Sequence, residues 1–159
     1  MTTARGAFAS TQAQLDEPRR SFECWSTPPG TASTGQIEFL ELSWDRTARV
    51  GFFRQSAAAS GTEARRLIAE LNGLIGNDQQ PFGVLVDATA VRSSTAEWRG
   101  EWSVFLRAHR GDCFLSIFGA NAVIRVVIDM FAIGTRIRMK AHEREGGARA
   151  WLAKNGIGT

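Results

Sequence analysis

Residues 82–86 read Phe-Gly-Val-Leu-Val, an uninterrupted apolar run with Pro81 before it and Asp87 after it. A strand with one wet face alternates apolar and polar positions, so a short run without alternation suits a strand covered on both faces. Covering both faces of a sheet takes helices, and the flanking sequence supplies them. Ser60 with Glu63 is a capping-box pattern. Behind it Ala64, Leu67, Ile68, Leu71, Leu74 and Ile75 fall on one helical face, and Asn77-Asp78 ends that helix. After the apolar run, Ser94 and Glu97 repeat the capping-box pattern. Trp98, Trp102, Phe105, Leu106 and His109 then recur at helical spacing, up to Gly111-Asp112. Cys113 to Phe118 is a second buried-strand candidate.

The rest of the chain continues the alternation. Residues 36–44 and 48–55 read as strands around the turn Asp45-Arg46-Thr47, and so as a hairpin. The Ala-Ser-Gly run 57–61 reads as a loop. Asn121 caps a third helix expected over 122–133. Thr135 or Arg136 is expected to open a last strand, where Ile137, Met139 and Ala141 alternate with Arg138 and Lys140. A final helix is expected over 143–154, with Ala148, Trp151 and Leu152 inward and Gly156 as its stop. The order β-β-α-β-α-β-α-β-α implies an α/β domain: a mixed, largely parallel sheet of about five strands with four helices, opening on a hairpin.

That domain is expected over residues 36–155, with 156–159 as its C-terminal end. Residues 1–35 are rich in Ser, Thr, Pro, Gly and Ala and carry few large apolar side chains, among them Phe8, Phe22 and Trp25. The expectation there is a flexible tail.

Composition narrows the function. The formal net charge is +3, from 19 Lys+Arg against 16 Asp+Glu, and the cations are spread along the chain. Nucleic-acid binding calls for clustering on one face, so it is not expected. The most apolar stretch, Val123 to Ile133, is broken by Asp129 and too short to span a bilayer. Cys24 and Cys113 show neither a disulfide framework nor metal-ligand spacing, so no metal and no cofactor are expected. Reduced thiols and the absence of an apolar signal segment in Met1–Ser10 point to the cytoplasm. No Gly-rich phosphate loop, Gly-x-Ser-x-Gly elbow or His/Cys/Asp cluster occurs, so the expected activity is binding and not catalysis.

Three segments resemble the STAS domain, the fold of bacterial anti-sigma-factor antagonists. They are 83–91 (GVLVDATAV), an apolar strand ended by Asp and a short turn; 117–126 (IFGANAVIRV), a strand leading through Gly-Ala-Asn to an apolar helix; and 148–152 (ARAWL) in the last helix. The resemblance covers roughly residues 36–155 by element order and is closest to STAS-like proteins outside the well-studied antagonists. It implies a non-catalytic regulatory domain that binds a protein, such as a kinase or anti-sigma-type regulator, in bacterial signalling; a homodimer is compatible with it. In the antagonists a phosphorylatable serine sits in an Asp-Ser-Ser-Gly type motif. Here the region reads Val91-Arg92-Ser93-Ser94-Thr95-Ala96-Glu97, with no Asp before the serines and no Gly after them. The phosphosite therefore does not transfer to a single residue.

Candidate residues follow, each with two readings. Asp87 ends a central strand, where open α/β sheets place ligand sites; it is a site carboxylate or an anchor for the switch loop, or it simply binds turn amides. Ser93, Ser94 and Thr95 precede a helix N-terminus, where a phosphate is tolerated and Arg92 and Arg99 stand close in sequence. The plainer reading makes Ser94 the cap, with Glu97 closing the box. The third helix is apolar almost all round, with Arg125 and Asp129 as its polar stripe. Neighbours cover its sides, or Arg92, Arg125, Val126, Ile128, Asp129 and Ile133 belong to a partner or ligand surface. That apolar excess and the five tryptophans also suit carriage of a small hydrophobic or lipid-like ligand. His109 and His142 read as capping or surface residues.

Overall fold

The computed structural model of the chain describes residues 42–77 and 80–158. The expected tail, and residues 36–41 of the expected first strand, lie outside the described residues.

Among the described residues, seven strands and four helices follow one another. The strands are β1 (Ser43–Asp45), β2 (Val50–Arg54), β3 (Ala58–Ala59), β4 (Phe82–Asp87), β5 (Ser93–Ser94), β6 (Cys113–Phe118) and β7 (Met139–His142). The helices are α1 (Gly61–Ile75), α2 (Ala96–Ala108), α3 (Ala122–Thr135) and α4 (Glu145–Lys154). The main sheet has five strands in the order β1-β2-β4-β6-β7. The β1–β2 hairpin is antiparallel, and every other pairing in that sheet is parallel. The mixed α/β architecture with four helices is therefore the expected one.

The apolar run that opened the sequence argument is β4, and all six of its residues are buried. Its side chains divide between two cores. Phe82, Val84 and Val86 face the core formed with α1 and α2. Leu85 faces the smaller one, where Phe114, Phe118, Ala148, Leu152 and Ile157 meet beneath α4. β6 divides in the same way, with Cys113 and Leu115 on one side and Phe114 and Phe118 on the other. Right-handed crossovers in one direction along the sheet put α1, α2 and α3 on one face, and α4 returns on the other.

Four expectations change. The 57–61 run is not all loop: Ala58–Ala59 pairs in parallel with Ser93–Ser94 as a separate two-stranded sheet, because the chain before α1 and the chain before α2 run side by side. The third helix runs on to Thr135. Arg136, at φ 55°, takes the left-handed cap that ends it, so neither residue opens a strand; Ile137 then turns into the core and β7 begins at Met139. The last helix starts at Glu145. Trp151 is half-buried, its ring tilted against those of Phe114 and His142 (centroids 6.2 and 6.1 Å), so Ala148 and Leu152 are the buried anchors of α4.

Candidate functional site

Two surfaces carry the candidate residues: the loop from β4 to α2, and the outer face of α3.

The loop begins at Asp87, which is buried at the C-terminal end of β4. Its Oδ1 accepts from the Thr89 amide at 2.9 Å, and its Oδ2 accepts from Arg54 Nε at 2.8 Å. Burial alone raises the carboxyl pKa, but the hydrogen bonds from Thr89 and the Arg54 guanidinium outweigh it and hold the group below its ordinary value. Asp87 is thus ionised and holds both the Thr89 turn amide and the Arg54 guanidinium. The loop it starts is pinned on the next strand by the Ala88 amide, which donates to Phe118 O at 2.8 Å. Gly119 turns the chain there at φ 78°, and a Cβ on it would collide with Thr89. The turn into α3 therefore packs directly against the β4 loop.

Further along, Ser93 and Ser94 are half-buried in β5. Arg99 Nη1 donates to Ser94 O at 2.6 Å and to Ser94 Oγ at 3.3 Å. Ser94 is not the cap of α2. Thr95 takes that place, its Oγ1 accepting from the Trp98 amide at 3.1 Å. The strand pairing of Ser94 with Ala59 moves the cap one residue on, and Glu97 closes no box. Arg92 is exposed at the rim of the loop, its amide donating to Ala57 O. The Ser60–Glu63 box on α1, by contrast, is present in both directions.

α3 has no buried residue. Val123, Val126, Val127, Met130, Phe131 and Ile133 stand on one arc, exposed by 39–80%. The inward arc is half-buried and holds Ile124, Arg125, Ile128, Ala132 and Thr135. Ile128 therefore faces the domain and drops out of the surface set, whereas Val126 and Ile133 stay in it. Asp129 lies at the flank, its Oδ1 accepting from the Ala141 amide of the edge strand β7 at 3.4 Å. Arg125 Nη1 lies 3.9 Å from Glu143 Oε2. The N-terminal turn of α3 adjoins the β4 loop, but Ile133 sits three turns away, roughly 16 Å along the axis. The fold unites Asp87, Ser93, Ser94, Thr95 and Arg92 at one end and strings Val126 to Ile133 away from them.

Sequence reasoning missed a third feature. A groove of about 550 Å³ lies between α4 and the opening hairpin, floored by Val50 and Phe52 and walled by Leu152 and Ile157, with Asp45 and Arg149 on it. It exists because α4 covers the β4–β6–β7 part of its face and leaves β2 bare, a consequence of strand order that no local pattern announces.

The two histidines differ in their surroundings. His109 is the C-cap of α2, but its ring packs on Phe105 and Phe82 at centroid distances of 4.6 and 5.5 Å. His142 ends β7 against Trp151, and its Nε2 finds no hydrogen-bond partner among the described residues. Burial and the nearby Lys140 lower its pKa, against an opposing pull from Asp129. Burial pushes the Cys113 thiol far up, so it is a core side chain and no nucleophile. Among the described residues no group of three His, Cys, Asp or Glu is placed to hold a metal, and no helix is long and apolar enough to cross a membrane.

No protein-family model matches the chain, and no curated protein matches it. Solved structures do. An uncharacterised protein of the DUF3478 family with a SpoIIAA-like fold, from Shewanella loihica PV-4, superposes with a TM-score of 0.64 at 14% identity, over 77% of this chain and 99% of that one. A candidate anti-sigma factor antagonist from Thermotoga maritima gives 0.51 at 11% identity, over 73% and 96%. An anti-sigma-factor antagonist (STAS) domain protein from Planctomyces limnophilus gives 0.50 at 13% identity, over 70% and 96%. At such identities the likeness is one of fold, and the fold it shows is the STAS-like one that the three sequence segments resemble.

Proposed function

We propose that this chain is a non-catalytic regulatory domain that works by binding protein partners, with α3 as its docking face and the β4–α2 loop as the place where a modification changes that binding. One observation carries the reading: a helix of 14 residues with none buried turns six large apolar side chains to solvent. Monomeric soluble proteins rarely leave a patch of that kind without use for it. The fold neighbours support the direction, since two of them are described as anti-sigma-factor antagonists, one as a candidate. The loop contributes two hydroxyls, Ser93 and Ser94, with Arg99 already bonded to the second. Phosphate there would add about −1.5 to −2 charge units beside a helix N-terminus that tolerates it. The reading places the protein in the cytoplasm, beside a kinase or anti-sigma-type regulator.

The experiment is affinity capture from the source cell with the full chain as bait, followed by mass spectrometry. A regulator retained by wild type and lost on Val126→Asp is the expected result. Affinity is then compared between the unmodified bait and one phosphorylated at Ser93 or Ser94. Equal affinities would leave a constitutive binding domain without a switch, and capture of no protein would remove the regulatory reading.

The groove beside α4 favours a second reading, carriage of a small hydrophobic ligand. Its volume lies within the range of small-molecule sites, and its floor is apolar. Hydrophobic ligands that raise the melting temperature, where no protein is captured, would put this reading first.

A further inference from the structure

The four most exposed apolar side chains of α3 are Ile133, Met130, Val123 and Val126, at 80, 68, 66 and 58%. In chain order their spacing is three, four and three. Side chains so spaced share one side of the helix and form an apolar seam of the kind a facing helix packs against.

We infer that this seam seats the same helix of a second copy of the chain, making a two-fold dimer. The inference rests on the reading of α3 as a protein-docking face and names its occupant.

Three properties point to a copy. The exposed arc, Val123 to Ile133 through Val127 and Phe131, carries no charge. A surface can meet itself across a two-fold axis without opposing like charges only when its centre is neutral. The polar groups at its flanks are already engaged within the domain: Asp129 with the Ala141 amide, Arg125 facing Glu143. They form a rim and make no demand on the partner. The extent fits as well. The arc presents on the order of 600 Å² of apolar surface, the upper end of what a monomer leaves in one patch. Two copies together would bury roughly 1,200 Å², the lower bound for specific interfaces. The helix is also prepared for such packing. Asn121 caps its start, with Oδ1 accepting from the Ile124 amide at 3.0 Å, and Arg136 turns the chain at its end. It spans about two heptads, too short to pair as a free peptide and long enough when each copy is held by its own domain. A bilayer-seeking helix would carry Lys and Arg along its polar side; α3 has one cation, Arg125, and it faces Glu143.

The test is sedimentation equilibrium of the full chain over a concentration series from about 1 to 200 µM. The expected result is a mass that rises about twofold with concentration. Met130→Glu should weaken the association at least about 100-fold by placing a charge in the seam, and its melting temperature, compared at a dilution where both proteins are monomeric, should stay at the wild-type value because the side chain is exposed in the monomer. Val104→Glu, an equally exposed apolar position on α2, should leave the dimer intact. Val126→Cys should cross-link two copies under oxidation. A monomeric mass throughout the series overturns the inference, and so does a dimer indifferent to Met130→Glu. If the monomer instead loses a captured regulator on Met130→Glu, the docking-face reading stands without the dimer. If it loses binding to anionic vesicles, a membrane is the occupant. Failure to capture any regulator leaves the mass measurement untouched.

Discussion

α2 and α3 are neighbours on the same side of the sheet, 13 and 14 residues long, each with a side chain capping its first turn. They use their apolar residues in opposite ways. α2 buries Trp98, Trp102, Phe105 and Leu106 and turns charged residues outward. α3 is far more apolar, yet has no fully buried residue; its polar residues Arg125 and Asp129 lie toward the strand edge, and its valines and Ile133 face solvent while Ile124 and Ile128 are half-buried. The difference comes from position. α2 lies over the centre of the sheet, where Phe53 and Phe82 wait for it. α3 lies at the β7 edge, where half its circumference has nothing to cover it. Apolar content decides how much surface a helix is able to bury, and strand order decides how much it does bury.

The largest test of this contrast is a pair of truncations. Trp102 stacks on Phe53 (5.5 Å between centroids, 16° between planes) and meets Phe105 edge-on. Trp102→Ala should destabilise by about 3–5 kcal/mol, the usual loss for a buried large aromatic. Phe131→Ala on α3 should lose less than about 1 kcal/mol, because the ring is already 39% exposed. Urea denaturation measures both. Comparable losses would mean that α3 is seated as deeply as α2 and that its face is no docking surface.

Next in size is the loop from which both helices depart. Asp87→Asn removes the charge that holds Arg54 and the Thr89 turn, so the loss should be about 1–3 kcal/mol. The acid limb gives the same information. The folded-state pKa of Asp87 is below its ordinary 3.8, so its contribution is complete above that value and fades as pH falls through the folded pKa. The variant should show a flatter loss of stability in acid. An unchanged limb would mean that the carboxylate anchors nothing.

The caps discriminate between the helices more finely. Thr95→Ala should lower global stability by about 1 kcal/mol, and Ser94→Ala by a few tenths, because Thr95 and not Ser94 accepts from the Trp98 amide. Asn121→Ala removes the equivalent bond on α3. Its effect should appear as faster amide exchange confined to α3, with global unfolding nearly unchanged, since a helix with no buried residue opens on its own. A global loss equal to that of Thr95→Ala would show α3 to be part of the cooperative core.

The same contrast explains what the sequence could tell. The central strands, the helical faces of α1 and α2 and the order of the four helices were legible because their signals are local: runs, spacings and the Ser60–Glu63 box. The excess of apolar positions on α3 was legible too, but Ile128 could not be told from Val126 without knowing which side met β7. The cap of α2 was misplaced by one residue because the pairing of Ser93–Ser94 with Ala58–Ala59 is a contact between distant segments of very short length. The groove beside α4 follows from the bare β2 face, which depends on the complete strand order. Features set by one element were readable, and features set by where two elements meet were not.

The smallest expected effect uses His142 as a reporter of where α3 sits. Burial and Lys140 lower its pKa from 6.5, and Asp129 on α3 raises it. Above pH 6.5 the ring is neutral in the folded and the unfolded chain, and stability does not change with its titration. As pH falls below that value the unfolded chain takes up the proton first, so stability falls until the folded ring titrates as well. Asp129→Asn removes the opposing charge and should move the folded pKa further down, which steepens the loss. The ring is read directly by NMR titration, and His109 in the same spectrum serves as the internal control. A folded pKa that ignores Asp129→Asn would mean that the carboxylate is not held beside β7. α3 would then be detached from the edge strand altogether, and the contrast with α2 would be one between a packed helix and a free one. A downward shift places α3 on the edge with its apolar arc turned away from it, the arrangement that a second helix requires.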